Sequence, residues 1–195
     1  MNFKIDLVKL PAKILRQKSQ EVKLPLSEED DLLAQKMIWH VDISQTENKK
    51  YNFQPAVGVA AIQYGIPKRM FYINGANFIK NSAIPQKILK DVLINPVIIS
   101  TSESSIALEQ GEGCLSVGSN IKEQDGFVHR KSRILAKAYS YTQKKEITLD
   151  LNGYLAIVFQ HEYDHLEGKL FVDHLNLKDP WKIQNNCRYI ETEEA

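Results

Sequence analysis

Residues 154–168, YLAIVFQHEYDHLEG, constrain this chain more than any other stretch. The first half is almost wholly apolar, so a helix built from it must be buried on most faces. Asn152 stands where an N-cap would start that helix, and Gly168 stands where a C′ glycine would close it, which predicts a helix over Gly153–Glu167. His161 and His165 are then one turn apart on one face, a spacing that suits a single metal ion. Glu162 lies about 100° around the axis, where it can reach the open side of such an ion without being a ligand. The plainer alternative is an amphipathic helix with two satisfied histidines. Burial weighs against it, because each unpartnered polar group would cost roughly 1–3 kcal/mol.

Two histidines leave a catalytic metal short, since such sites use three protein ligands and one open position. Downstream, Glu167, Asp173 and His174 are available. Glu167 is too close to the motif to fold back, and His174 is cramped by its short distance from Gly168. Upstream, Cys114 lies in EGCLS at 112–116, within a run short of bulky side chains, and a thiolate there would complete a Cys–His–His set. A zinc peptidase with a downstream ligand and a closed structural metal site remain as rivals.

The rest of the chain reads as a single domain over 1–195, with about 174–195 as a tail. Its 195 residues are 43% hydrophobic and 25% charged, with a formal net charge of +1. That balance gives no electrostatic grip on nucleic acid or an anionic membrane, so no nucleic-acid readout is expected. No stretch approaches the roughly 18 apolar residues of a membrane span, and MNFKIDLVKL is broken by charges unlike a signal peptide. The expected location is cytoplasmic, where Cys114 and Cys187 stay reduced. A helix is predicted over 27–45, capped by Ser27, with Leu32, Leu33, Met37, Ile38 and Val41 on its apolar stripe. Residues 46–55 read as a loop. Strands are expected at 69–75 and 92–100 with an insertion at 77–91 between them, and at 126–132, 133–142 and 145–151, the last two joined by a tight turn. The tail after Asp173 shows no regular pattern. Strands in runs with few helices predict an α+β fold with mixed, largely antiparallel sheets.

AVGVAAIQ (56–63), EGCLS (112–116) and QHEYDHLEG (160–168) together resemble the three signature motifs of the peptide deformylase family, in order and rough spacing. The form is similar to that of Gram-positive bacteria and their relatives. Asp164, Leu166 and Gly168 add to the bare H-E-x-x-H pattern. Two positions depart from it. Ala56 replaces a glycine, and Tyr154 replaces a smaller aliphatic residue of the methionine pocket, so Tyr154 is not carried over to that pocket.

The resemblance implies sheets wrapped around a central metal-binding helix and an enzyme that removes the formyl group from N-terminal formylmethionine of nascent polypeptides. It implies Cys114, His161 and His165 as ligands of one divalent ion, usually Fe2+, with Ni2+, Co2+ or Zn2+ able to replace it. Glu162 would be the general base, and the Gln63 amide and Leu115 backbone N–H would stabilise the oxyanion. Val57, Gly58, Val59 and Gly113 would pair with the substrate backbone, and Val59, Ile157 and Val158 would line the methionine pocket. A Glu112–Arg130 ion pair would position the EGCLS loop, and Asp164 would orient a ligand histidine or cap backbone. Some relatives dock on the ribosome through a C-terminal helix. The tail here carries Pro180 and no apolar stripe, which leaves a transient ribosome contact at most.

Overall fold

The apolar run folds as the helix its pattern demands, and the rest of the chain is arranged around it. The computed structural model of the chain describes residues 2–78, 85–118 and 125–191. Helix α3 spans Gly153–Leu166, with Leu155, Ala156, Phe159 and Leu166 fully buried. Each such large apolar side chain contributes about 1.5–3 kcal/mol. Its cap differs from expectation. Asn152 occupies the N-cap position but makes no side-chain cap bond. Asn77, from a distant strand, supplies the cap: its Oδ1 accepts from Leu155 N–H at 2.9 Å, and its Nδ2 donates to the Asn152 carbonyl at 2.7 Å. At the other end Gly168 closes the helix as predicted, at φ +69°. A Cβ there would lie 2.6 Å from the Arg16 carbonyl, so no other residue fits.

The five-stranded sheet has the order β1 (Gly58–Ala60), β2 (Met70–Phe78), β3 (Pro85–Thr101), β6 (Arg133–Ser140) and β7 (Lys145–Asn152). All its pairings are antiparallel. The expected strands at 69–75 and 92–100 are present but longer. Residues 77–91, expected as an insertion, extend the β2–β3 hairpin instead, with Asn77 opposite Lys87 and Met70 opposite Ile94; residues 79–84 of that segment lie outside the described residues. Lys87 and Lys90 are exposed, while Leu89 and Asp91 face inward. Asp91 is buried and satisfied by Ser140 Oγ, by Thr142 N–H at 3.0 Å and by Thr142 Oγ1 at 2.8 Å. These bonds pin the predicted β6–β7 turn.

A second sheet has the order β5 (Arg130–Lys131), β4 (Ser105–Leu108) and β8 (Cys187–Ile190), with β8 parallel to β4. Neither β4 nor β8 is visible as a period-two pattern, because each has only four residues. The strand expected over 126–132 shrinks to two residues. Phe127 N–H bonds the Pro180 carbonyl at 2.8 Å, and its ring stands edge-on to Trp181 at 4.9 Å, which draws the segment off the ladder. The tail after Asp173 therefore does hold a regular element, contrary to expectation. Helix α1 covers Glu28–Thr46 with Ser27 Oγ capping Asp30 N–H. Leu32 leaves its expected stripe and is 48% exposed. The expected loop at 46–55 contains a four-residue helix, α2, at Asn48–Tyr51. Helix α3 packs against strands of both sheets, which gives the expected α+β architecture with a central helix.

Asn77→Ala removes the donated cap and the tie to Asn152 together. A loss of about 1–2 kcal/mol in unfolding free energy is expected by urea denaturation.

Candidate metal centre and cavity

The turn between His161 and His165 brings the two imidazoles together, with ring centroids 5.2 Å apart. The EGCLS loop follows β4 and carries Cys114 to the same place. Its Sγ lies 3.4 Å from His165 Nε2. The ligand-type atoms of Cys114, His161 and His165 all fall within 4.8 Å of one another. A thiolate and two imidazoles at that separation match the donors and reach of a first-row divalent ion, and three protein donors leave one coordination place for solvent or substrate.

The alternatives left open by sequence are each engaged elsewhere. Glu167 pairs with Arg69 at 2.5 Å and Lys18 at 3.0 Å. Asp173 accepts from Leu170 N–H and from Arg16. His174 Nε2 lies 2.8 Å from Asp164. Cys187 sits on β8, and both cysteines are free thiols.

The outer layer of the site is a buried charge network. Glu112 lies 2.8 Å from His161 Nδ1, which leaves Nε2 as the inward-facing nitrogen. Arg130 donates to both oxygens of Glu112, at 2.5 and 2.9 Å, and to Asp164 at 2.8 Å. This is the expected Glu112–Arg130 pair. Asp164 serves the arginine and His174 rather than a ligand histidine. Burial alone would raise the Glu112 carboxyl, but the Arg130 charge and the His161 hydrogen bond outweigh it and hold the pKa at about 2. Asp164 is likewise held at about 2 against its burial, by His174 and Arg130.

Glu162 has the opposite environment. Burial pushes its pKa up to about 7, with His161 and Arg130 only partly offsetting it. Its Oε2 is buried without a hydrogen-bond partner among the described residues. Gly58 explains how it fits: a Cβ at that position would lie 2.6 Å from Glu162 Oε1 and 3.0 Å from its Cγ. The carboxylate lies directly against the β1 backbone.

A cavity of about 530 Å³ opens over these groups. Val57, Gly58, Gln63, Gly113, Cys114, Leu115, Ile157, Val158, His161 and Glu162 lie on its wall. Val59 does not. Side chains alternate along a strand, so with Gly58 turned to Glu162 the Val59 side chain points into the core, where it is fully buried. The structure therefore sets the Val59 side chain apart from the cavity where the methionine pocket is expected. Leu108 and Tyr154 are also on the cavity wall. Tyr154 packs with Ile106, Leu108, Ile157 and Ile190, which places this departure from the family pattern on the cavity wall. Position 154 precedes Ile157 and Val158 by three and four residues on one helix face, a signal that identified the right face. Leu108 could not be found in this way, because β4 was not recognised. Among the described residues strand β1 is an edge strand, paired with β2 alone.

A family model described as polypeptide deformylase matches residues 4–181. The chain belongs to the peptide deformylase family. A peptide deformylase of Mycoplasmopsis pulmonis is 46% identical over 191 residues, covering 92% of this chain and 94% of that one. One from Lacticaseibacillus casei is 42% identical, covering 95% and 97%. Among solved structures, a class I type b peptide deformylase from Acinetobacter baumannii with Met-Ala-Ser bound is 28% identical, with a TM-score of 0.67 over 90% of this chain and all of that one. The chain is accordingly a metal-dependent hydrolase that removes the N-formyl group from the N-terminal formylmethionine of newly made polypeptides and releases formate.

Elemental analysis of purified variants distinguishes the candidate ligands. Cys114→Ala is expected to lose bound metal, and His174→Ala is expected to retain it.

Proposed function

We propose that Cys114, His161 and His165 hold the divalent ion of this deformylase and that Glu162 is its general base. The observation that carries this reading is the convergence of the three donor atoms beside a buried carboxylate on the wall of one cavity. When bound, the ion supplies Lewis-acid activation of water and of the formyl carbonyl. Glu162 accepts the proton of the attacking water at a carboxylate oxygen and returns it to the amine nitrogen as the C–N bond breaks. The Gln63 amide and the Leu115 backbone N–H donate to the oxygen that gains charge as the formyl carbon becomes tetrahedral. Held between Glu112 and the reaction centre, His161 is kept in the tautomer that offers Nε2.

The substrate backbone adds to the free edge of β1 at Val57 and Gly58, with Gly113 opposite, where a side chain would meet nothing within 4 Å. The methionine side chain enters the apolar part of the cavity between Leu108, Tyr154, Ile157 and Val158. Fe2+ is the resident ion in this reading, and Ni2+, Co2+ or Zn2+ substitutes, since a thiolate with two imidazoles suits all four. Among the described residues no helix is long and apolar enough to cross a membrane. The enzyme works in the cytoplasm on nascent formylated peptides, and any ribosome contact is transient.

Two measurements test these roles. Glu162→Gln should retain metal while formate release from a formyl-Met peptide falls by at least about 10²-fold, the lower range for a general base. Unchanged release would remove Glu162 from the mechanism. A thiolate on ferrous iron is open to oxidation, so activity in air should decay faster for the iron form than for the nickel form.

A further inference from the structure

The side-chain amide of Gln63 has one oxygen end and one N–H end, and only one way round can stabilise an oxyanion. Strand β1 decides which. The Ala60 backbone N–H can only donate, and it lies 2.8 Å from Gln63 Oε1. Nε2 is thereby turned toward two acceptors, Ser116 Oγ at 3.1 Å and Cys114 Sγ at 3.8 Å. The bond from Ala60 fixes the polarity of the amide. It does not fix the swing of the amide plane, because the terminal torsion of glutamine is broad. The bond to Ser116 fixes that swing by occupying one N–H, which turns the other toward Cys114 Sγ and so toward the candidate metal centre.

Ser116 is fully buried and is not on the cavity wall, so it does not touch substrate. Its backbone is held from the far side. Leu10 N–H bonds the Ser116 carbonyl at 2.9 Å, while Val8 N–H bonds the Gln63 carbonyl at 2.7 Å. One short stretch of the N-terminal segment thus fixes the separation of the two elements. The turn around Cys114 is closed by Val117 and Gly118 N–H groups on its carbonyl, at 3.0 and 3.1 Å.

We propose that Ser116 is a positioning residue for deformylation: its hydroxyl oxygen accepts from Gln63 Nε2 and so aims the remaining amide N–H at the formyl oxygen. This rests on the reading of Gln63 as an oxyanion donor. A group that acts only on the developing oxyanion lowers kcat and spares KM.

Formate release from a formyl-Met-Ala-Ser peptide by the metal-loaded full chain tests the proposal. Ser116→Ala is expected to lower kcat about tenfold, less than the 10²–10³ of losing a donor outright. KM should stay within about twofold and metal content should not change. Ser116→Thr keeps the hydroxyl and should recover most of the loss. In a Gln63→Ala background Ser116→Ala should add no further loss, because both changes remove the same interaction. Equal losses in the two backgrounds, or normal kcat for Ser116→Ala, would overturn the proposal. Ser116→Gly gives the same reading if the alanine variant does not fold. A normal kcat for Gln63→Ala alone would instead overturn the oxyanion role of Gln63.

Discussion

The guanidinium of Arg130, buried between Glu112 and Asp164, is the interaction on which the site depends. It ties three separate parts of the chain: the loop that carries Cys114, the short strand β5 and the helix that carries both histidines. A buried pair of this kind contributes little net stability, but removing one partner typically costs about 3–5 kcal/mol. Its effect is geometric. With Glu112 fixed by the arginine, His161 has one orientation, and the loop that holds Cys114 has one distance from α3.

The fold supports that network by placing the helix between two sheets. Asn77 starts the helix from β2, and the Arg16 carbonyl closes over Gly168 at its end. The C-terminal segment packs behind part of the cavity wall without lining it. Ile190 on β8 lies opposite Leu108 on β4 and packs in the cluster with Tyr154 and Ile157. Residues far apart in the chain thus form the apolar part of one pocket.

The legible parts of this arrangement were local ones. Two histidines four apart on an apolar helix declare a shared face, and Ser27 and Gly168 declare helix ends, because each signal acts within one turn. The proposed ligand Cys114 became legible through its resemblance to a known motif, since its meeting with the histidines spans about fifty residues of chain. What stayed hidden is non-local. The cap from Asn77 depends on a strand pairing, and the strands β4 and β8 are too short to show a period. The inward facing of the Val59 side chain was hidden too, because it depends on whether Gly58 or its neighbour meets Glu162, a choice that only the assembled sheet makes. Asp91 and the flanking lysines disguised a hairpin as an insertion, since an inward carboxylate is tolerated there only with the Ser140 and Thr142 partners.

The contact between Gly58 and Glu162 also limits how this enzyme can evolve. Many binding sites escape a tight inhibitor by growing a side chain into the space it occupies. At position 58 that route requires Glu162 to move, because the smallest added carbon would lie 2.6 Å from its carboxylate. A compound that hydrogen-bonds the main chain at this glycine would rest on a surface the protein can reshape only by displacing Glu162.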